Sequence, residues 1–291
     1  MKIAVLTDSN SGIFPEEEAQ REGLFVLPMP VIIDGEENLE NVSINQEQFY
    51  QKLKSGADVS TSMPAIGLVV EKWEELLKEY DQIVHIPMSS SLSMSCEAAL
   101  NFSKEYEGKV FVVDNQRISV TQKRSVFDAL ELVKEGKNGA QIKEILENAK
   151  KESSIYILVD TLKYLKKGGR ITPAAAAIGT LLRIKPVLQI QGGKLDQFAK
   201  VMNEKVARQK MIDAMKKDLA ERFADFVEAG QMELYVAYTN CRERAEAFAE
   251  QIRAEIPFVP VTMIDPLPLS IACHIGDGAI AIACARKMER K

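Results

Sequence analysis

Short apolar runs alternate with amphipathic segments through the first half of the chain. The runs have the length of buried strands and occupy residues 2–6, 24–33, 83–87 and 110–113. Hydrophobic residues at helical spacing predict helices that begin at Pro15 or span 45–53, 66–79, 118–134 and 140–151. Strands that alternate with helices pair in parallel through right-handed crossovers, so this half is predicted to be a three-layer parallel α/β domain.

Two segments of this half are predicted to depart from regular strands and helices. Pro28 and Pro30 interrupt the run 24–33, and proline cannot donate to a strand ladder, so we expect an irregular or edge strand there. Residues 60–64, Ser-Thr-Ser-Met-Pro, have the composition of a hydroxyl-rich loop that is stopped by proline.

The pattern changes after residues 152–154, which predicts an N-terminal domain at 1–153 and a C-terminal domain at 154–291. The sequence Gln-Gly-Gly-Lys at 191–194 separates two apolar runs and is typical of a β-hairpin. A hairpin is antiparallel, so the C-terminal domain is predicted to be α/β with a mixed or antiparallel sheet. Its predicted strands are 155–159, 184–190, 195–201, 233–238, 259–263 and 279–283, with helices within 203–227 and at 242–254.

One arginine lies between two predicted helix boundaries in the segment 158–188. Asp160 is a helix-start signal, and the double glycine at 168–169 ends the short helix that follows. Arg170 comes next, and Thr172 opens a second helix with a proline as its first residue. Four alanines at 174–177 leave the early turns of that helix almost without side chains. Either another helix or a ligand can therefore lie close to its backbone.

Composition and charge narrow the class of protein. The chain has 291 residues, of which 46% are hydrophobic, and a net charge of −5 with a pI near 5.4. This acidic balance argues against a nucleic-acid-binding protein, whose usual mark is a basic surface. No apolar run approaches the roughly 18 residues of a membrane span, and residues 1–8 are predicted to form a first strand and not a signal peptide. We therefore expect a cytoplasmic protein.

The cysteines and glycines contain no pattern typical of a metal, redox or nucleotide site. No Cys-x-x-Cys occurs, and the four cysteines are too scattered to form a metal site, so we interpret them as buried thiols in a reducing compartment. Neither a P-loop nor a Gly-x-Gly-x-x-Gly motif is present. The sequence therefore predicts no cofactor and no metal.

Two polar clusters at predicted strand ends and helix starts are candidates for ligand contact. Asp8 and Ser9 follow the first strand, at the edge where open α/β sheets bind ligands, although an aspartate there commonly bonds its own turn. Thr61 and Ser62 come three and two residues before Pro64, where hydroxyls also serve as helix caps. For both clusters the structural and the functional interpretations stay open.

A third cluster contains five serines within residues 89–95, at a strand-to-helix junction. No Gly-x-Ser-x-Gly elbow is present, which weakens the interpretation as a hydrolase. Backbone amides, hydroxyl donors and the positive end of a helix dipole together suit an anion such as a carboxylate or a phosphate.

The fourth candidate group is basic. Lys166 and Lys167 at a helix end commonly just complement the helix dipole. Arg170 is harder to explain structurally, because it is held between two glycines and a helix start. His274 lies between glycine-rich turns, where it is either a satisfied loop histidine or a functional one.

Seven motifs occur in the order and spacing of the DegV family, which the chain resembles over nearly its whole length. They are Asp8-Ser9, Thr61-Ser62-x-Pro64, Ser90-x-Leu92-Ser93, Val113-Asp114, Leu162-x-Tyr164-Leu165-x-x-Gly168-Gly169-Arg170-Ile171, Ile184-Lys185-Pro186 and His274-x-Gly276-x-Gly278. Gly-Gly-Arg-Ile followed by Ile-Lys-Pro is quite specific.

The resemblance implies a two-domain α/β protein that holds one long-chain fatty acid, such as palmitate, in a tunnel at the domain interface. Thr61 and Ser93 would bond the carboxylate, and Arg170 and His274 would lie at the tunnel mouth, near an acyl phosphate or a kinase. Accessory contacts to the ligand are expected from Ser62, Ser91, Asp8 and Ser9. The tunnel is expected to be lined by Ala174, Ala177 and Ile178.

The resemblance also implies a lipid-binding role without catalysis. Some family members are the lipid-presenting subunit of a bacterial fatty acid kinase, in which a separate ATP-dependent subunit phosphorylates the bound carboxylate. Lipid transport is the other implied role, with transient contact to a membrane surface.

The chain departs from the family pattern beside several of these residues. Met63 and Met94 replace a common Gln and a common Gly next to the proposed carboxylate site, so we expect altered head-group geometry or chain preference. Asp277 replaces a frequent Pro, and an acid beside His274 is expected to raise the pKa of that residue or to weaken the approach of an anionic partner.

A competing hypothesis makes the protein an enzyme. In this alternative, Ser91 or Ser93 acts together with His274 in a serine-dependent hydrolase or transferase. The substrate would be a small carboxylated or phosphorylated metabolite.

Overall fold

The computed structural model describes residues 1–177 and 184–288, which form two compact units. The first unit contains Met1–Lys150, Pro268–Ser270 and Met288. The second unit contains Lys151–Leu267 and Ile271–Lys287.

The first unit has seven strands and six α-helices among its described residues. Its strands are β1 Ile3–Asp8, β2 Leu24–Leu27, β3 Pro30–Ile33, β4 Glu36–Leu39, β5 Val59–Thr61, β6 Gln82–Ile86 and β7 Val110–Val112. Its helices are α1 Pro15–Ala19, α2 Gln46–Lys54, α3 Ile66–Leu76, α4 Ser95–Phe102, α5 Val120–Lys134 and α6 Gly139–Asn148.

Four of these strands form a parallel sheet in the order β2-β1-β6-β7. Side chains alternate across it, so that Val5 of β1 packs with α5 and α6 on one face, while Leu6 packs with α3 and α4 on the other. Because both faces are buried, the strands are almost continuously apolar. The predicted three-layer parallel architecture is confirmed.

The prediction of an irregular or edge strand at 24–33 is wrong in part. The run contains two strands, with β2 at the edge of the parallel sheet and β3 in the centre of a separate antiparallel sheet of order β4-β3-β5. The loop predicted at 60–64 is also wrong in part, because Ser60 and Thr61 belong to β5, where Thr61 pairs with Val31. β4 and β5 have only four and three residues, too few for alternation to show in the sequence.

The second unit contains six strands, with α-helices between them. Its strands are β8 Ser153–Leu158, β9 Lys185–Ile190, β10 Asp196–Val201, β11 Met232–Tyr238, β12 Val261–Pro266 and β13 Ile280–Arg286. The remaining helices are α7 Lys163–Gly168, α8 Pro173–Ala176, α9 Glu204–Glu221, α10 Ala224–Glu228, α11 Arg242–Glu255 and α12 Leu269–Ile275.

These six strands form one mixed sheet in the order β10-β9-β8-β13-β11-β12. Every neighbouring pair is antiparallel except β11 and β12, which run parallel on either side of the crossover helix α11. β9 and β10 form the predicted hairpin, and Gly192 in its turn has a φ of 88°, which favours glycine. Apolar side chains of α9 and α11, such as Met211 and Phe248, form the core of this unit together with the strands.

No helix in the described parts of the chain is both long enough and apolar enough to cross a bilayer.

Leu146→Ala should lower the stability of the first unit. Leu146 is 1% exposed in the core beside α5, so its truncation leaves a cavity and should cost about 2–5 kcal/mol of unfolding free energy. Denaturant unfolding followed by the fluorescence of Trp73, the only tryptophan, measures this unit. The same change at Leu68, which is 55% exposed, should cost less than about 0.5 kcal/mol, and equal losses in the two variants would contradict the packing described.

Candidate functional site

Polar residues gather at the carboxyl edge of the first sheet, where β1 and β6 lie side by side. The chain leaves β1 toward β2 and leaves β6 toward β7, in opposite directions along the sheet. Ligands in open α/β sheets bind at such a switch point. Asp8 is the last residue of β1, and the cluster at 89–95 begins three residues after the end of β6.

Asp8 connects the end of β1 to the segment after β6. Its side chain is 2% exposed, and its Oδ2 accepts a hydrogen bond from the backbone N–H of Met88 at 2.9 Å. Its Oδ1 accepts one from Nε2 of Gln122 on α5 at 3.0 Å. Burial raises the pKa of Asp8, and these donors oppose the rise. Asp8 therefore holds the start of the serine segment against the end of β1.

Ser9 is 3% exposed and has two hydrogen bonds within the first unit. Its hydroxyl donates to Oε2 of Glu40 at 2.7 Å and accepts from the backbone N–H of Met29 at 3.0 Å. Met29 lies between β2 and β3, so Ser9 holds the chain where it passes from one sheet to the other. Asp8 and Ser9, predicted as accessory binding residues, are thus both buried with internal partners.

The serine segment 89–95 folds into a turn that leads into α4. The carbonyl of Ser89 accepts from the backbone N–H groups of Leu92 and Ser93 at 3.0 and 3.1 Å. Ser93 is half-buried, and its Oγ accepts from the backbone N–H of Ser95, the first residue of α4, at 3.2 Å. Ser91 is also half-buried, and its backbone N–H donates to Oγ of Ser89 at 3.2 Å.

Thr61 and Ser62 occupy the other candidate position in the same unit. Both are half-buried, at the end of β5 and four to five residues before α3 begins. The helices α3 and α4, which follow the two hydroxyl segments, pack against each other on one face of the parallel sheet. Met63 and Met94, which depart from the family pattern, are 43% and 71% exposed beside these segments.

Glu40 is a buried carboxyl group that the sequence analysis missed. It is 2% exposed, and burial raises its pKa from 4.5 to about 7 although hydrogen bonds from Ser9, Leu269 and Ser270 act to lower it. It follows the acidic strand β4, whose charges resemble a solvated surface. Its burial follows from hydrogen bonds to residues far away in sequence, such as Ser9 and Leu269, which the local sequence does not show.

His85 supplies no general base to the serine segment. It is 3% exposed, and its ring centroid lies 5.7 Å from that of Trp73 in an edge-to-face contact. Burial lowers its pKa to about 3, so it is a neutral core residue.

Arg170, Lys167 and His274 form a cluster in the second unit. His274 lies in the last turn of α12 and not in a loop, the structural alternative left open above. Burial, followed by the positive charges of Arg170 and Lys167, lowers the pKa of His274 to about 4. The imidazole is therefore neutral at pH 7.

The expected influence of Asp277 on His274 is corrected by these contacts. Oδ2 of Asp277 accepts a hydrogen bond from Nδ2 of Asn240 at 3.2 Å. Burial, and then the cations Arg170 and Lys167, lower the pKa of His274, whereas a rise was one of the two expected effects of this acid.

Glycines allow the two motif segments of the second unit to approach closely. A Cβ on Gly168 would lie 2.2 Å from Nδ1 of His274, and one on Gly276 would lie 2.8 Å from the ring of Tyr164. Nη1 of Arg170 donates to the carbonyl of Gly168, which fixes the arginine beside the same contact. The spacing of glycines in both motifs thus has a steric cause.

Asp160 was predicted to start a helix, but its carboxylate instead forms an ion pair with Lys185. α7 begins at Lys163, whose backbone N–H donates to Oγ1 of Thr161 at 3.1 Å.

A polar cleft of about 540 Å³ opens near Asp160 and does not suit an acyl chain. Its lining consists of Asp160, Asn240, Cys241, Arg242, Glu243, Arg244, Asp277 and Gly278.

The start predicted for the alanine-rich helix is confirmed. Oγ1 of Thr172 accepts from the backbone N–H of Ala175 at 3.2 Å, and α8 begins at Pro173. Ala174 and Ala177 are exposed, whereas Ala175 is buried. Ile178, also predicted to line the tunnel, lies outside the described residues.

The chain matches a known family over almost its whole length. The family model described as "Uncharacterised protein, DegV family" matches residues 2–287. A DegV domain-containing protein of Halalkalibacterium halodurans is 32% identical over 285 residues, which cover 97% of this chain and 98% of that protein.

Solved structures of similar proteins share the fold. The crystal structure of DegV, a fatty acid binding protein from Bacillus subtilis, aligns with a TM-score of 0.85 and 29% identity, over 99% of this chain and 100% of that one. The structure reported as fatty acid binding of a DegV family protein from Thermus thermophilus aligns with a TM-score of 0.86 and 29% identity, over 98% of this chain and 100% of that one.

Gly168→Ala should displace the imidazole of His274. The added methyl group would overlap the ring, so we expect a loss of about 1–3 kcal/mol of stability and a rise in the pKa of His274 from about 4 toward 6.5 as water reaches it. NMR titration of the two histidines measures this, with His85 as the internal reference. Because folded His274 binds its proton less tightly than the unfolded chain does, stability should fall as pH decreases from about 6.5 to 4, and the variant should weaken that dependence.

Gly193→Ala is the matched control, since nothing lies within 4 Å of its added methyl group. It should leave the titration of His274 unchanged. An unchanged titration in the Gly168 variant would contradict the contact between these two motifs.

Proposed function

The chain belongs to the DegV family, and on that basis we propose that it binds one long-chain fatty acid, such as palmitate, with its carboxylate held by Thr61 and Ser93. The observation that carries this proposal is the placement of both hydroxyls. Each is half-buried, and each lies at a segment that leads into one of two helices packed on the same face of the first sheet.

Neutral hydroxyls suit this ligand because they bind a carboxylate without neutralising its charge. The amide-rich approach to α4 adds donors and a favourable helix dipole. Ser62 and Ser91, both half-buried, are proposed as accessory contacts. Asp8 and Ser9 contribute indirectly, because their hydrogen bonds to the backbone of Met88 and Met29 help to hold the two hydroxyl segments in place.

The acyl chain supplies most of the affinity in this proposal. At about 0.8 kcal/mol for each buried CH₂, a sixteen-carbon chain contributes on the order of 10 kcal/mol before the cost of ordering it. Ala174 and Ala177 are exposed and have small side chains, so we assign them to the lining of the acyl tunnel.

A second layer of the proposal is presentation of the lipid to a separate fatty acid kinase, with lipid transport as the alternative use. The partner would transfer the terminal phosphoryl group of ATP to the carboxylate, giving an acyl phosphate and ADP. Arg170 and His274 are assigned to the mouth, where a cation and a neutral imidazole suit an anionic group. In this role the protein binds lipid without catalysis, in the cytoplasm, and exchanges ligand at a membrane surface.

Native mass spectrometry of protein purified from cells tests the binding directly. A bound species with the mass of a C16 or C18 fatty acid, identified after extraction, is expected. Protein without any acyl chain, and with no affinity for added palmitate or oleate, would refute the proposal.

Thr61→Ala and Ser93→Ala should each weaken the binding of palmitate or oleate about tenfold, since each removes a hydrogen bond to a charged group. Calorimetric titration measures the affinities. Ser103→Ala, at the other end of α4, is the control, because its hydroxyl bonds the carbonyl of Leu100 and should not affect binding. Unchanged affinity in both site variants would remove these hydroxyls from the carboxylate site.

Arg170→Ala should leave lipid affinity within about twofold of wild type and reduce acyl phosphate formation by a kinase partner at least tenfold, because its charge serves the mouth. Radiolabelled phosphate transfer to the lipid, measured beside calorimetry, separates the two effects. Lys166→Ala, an exposed cation of the same segment, is the control. Loss of lipid binding in the Arg170 variant would show that this arginine belongs to the pocket.

A further inference from the structure

Glu40 connects three segments of the first unit that are far apart in sequence. Its Oε2 lies 2.7 Å from the hydroxyl of Ser9 and 3.2 Å from that of Ser270. Its Oε1 accepts a hydrogen bond from the backbone N–H of Leu269. A carboxylate with donors on both oxygens is strongly oriented, because each bond restricts a different direction.

Ser9 transmits this orientation to the sheet that carries Thr61. The hydroxyl of Ser9 has one proton, which it donates to Glu40, and its oxygen accepts from the backbone N–H of Met29 at 3.0 Å. The backbone N–H of Glu40 in turn donates to the carbonyl of Met29 at 3.1 Å. Met29 is thereby held from two sides, immediately before β3.

β3 is the strand on which β5 is aligned. Val31 pairs with Thr61, and Ile33 pairs with Val59. A shift of the chain at Met29 would therefore move the partner of Thr61, because Met29 immediately precedes β3 and the register of a strand depends on the turn that leads into it.

We propose that Glu40 is a positioning residue for the head-group site, which acts through Ser9 and Met29 on the placement of Thr61. This inference rests on the proposed function and adds to it a residue that does not contact the ligand.

The protonation state of Glu40 makes this role measurable. Burial raises the pKa of Glu40 to about 7, and its contacts are the hydroxyls and backbone groups described. The other buried carboxyl group at this place is Asp8, next to Ser9, whose oxygens bond Met88 and Gln122. When Glu40 is protonated, one of its oxygens must donate, so either the bond of Oε2 to Ser9 or that of Oε1 to Leu269 has to rearrange. Glu40→Gln reproduces that neutral state at every pH.

The test compares the affinity for oleate of wild type, Glu40→Gln, Ser9→Ala and the double variant at pH 6, 7 and 8. At pH 8 each single variant should bind about tenfold more weakly than wild type, and the double variant should bind no more weakly than the poorer single one. The ratio between wild type and Glu40→Gln should shrink at pH 6, where wild-type Glu40 is also neutral. The ionisation of oleate itself cancels in that ratio.

Glu37→Gln is the matched control, because Glu37 is an exposed carboxylate on β4. It should match wild type at all three pH values. The proposal would be overturned if the losses of oleate affinity in the two single variants multiplied in the double variant. It would also be overturned if the affinity ratio between wild type and Glu40→Gln did not change with pH, or if Glu40→Gln bound oleate as tightly as wild type at pH 8.

A measurement on the unliganded wild-type protein decides the same question without a variant. The amide resonances of Met29 and Leu269 should shift with a common midpoint near pH 7. Fixed resonances between pH 6 and 8 would overturn the proposal even if the variants fail to fold. If the wild type binds no fatty acid, the proposed function fails. Amide resonances that still shift with pH would then show that Glu40 holds Ser9 and Met29 but positions no ligand site.

Discussion

The hydrogen bonds made by Asp8 and Ser9 hold together the parts of the first unit that carry its candidate ligand groups. Asp8 bonds the backbone before the serine turn, and Ser9 bonds the backbone before β3. Both side chains are almost fully buried, so an unmet donor or acceptor here would be costly. This constraint explains why an aspartate and a serine occur together at the end of β1. Together they fix the chain before the serine segment and before β3.

The second unit reaches a similar result through steric fit. Gly168 lies against the ring of His274, and Gly276 lies against that of Tyr164, so larger residues would force the segments apart. This packing leaves His274 half-buried beside Lys167 and Arg170 and lowers the pKa of its imidazole to about 4. The cluster therefore combines fixed positive charge with an uncharged imidazole, which suits contact with an anionic group. Oδ2 of Asp277 accepts a hydrogen bond from Asn240.

The large elements were predictable because their signals are local. β1 and β6 are apolar runs bounded by polar turns, and α9 and α11 show helical spacing over many residues. The small sheet was missed because β4 and β5 are short and largely polar. α12 was missed because a seven-residue helix between prolines and glycines resembles a loop. The residues assigned to the carboxylate and the mouth came from resemblance to a family, since hydroxyls at helix starts also serve as caps.

The sequence by itself determined the longer strands and helices in their order along the chain, and the polar residues at the ends of β1 and β6, because hydrophobic period and turn chemistry act over a few residues. The tertiary structure decided which of those polar groups are buried and in which protonation state. Glu40 shows the difference, since its local sequence is acidic and its bond to Leu269 spans 229 residues. Such contacts form only when the chain is folded, and burial then sets the pKa of the carboxyl group. For this reason the sequence predicted Asp8 and Ser9 at the edge of the sheet, whereas only the folded chain showed what holds them there.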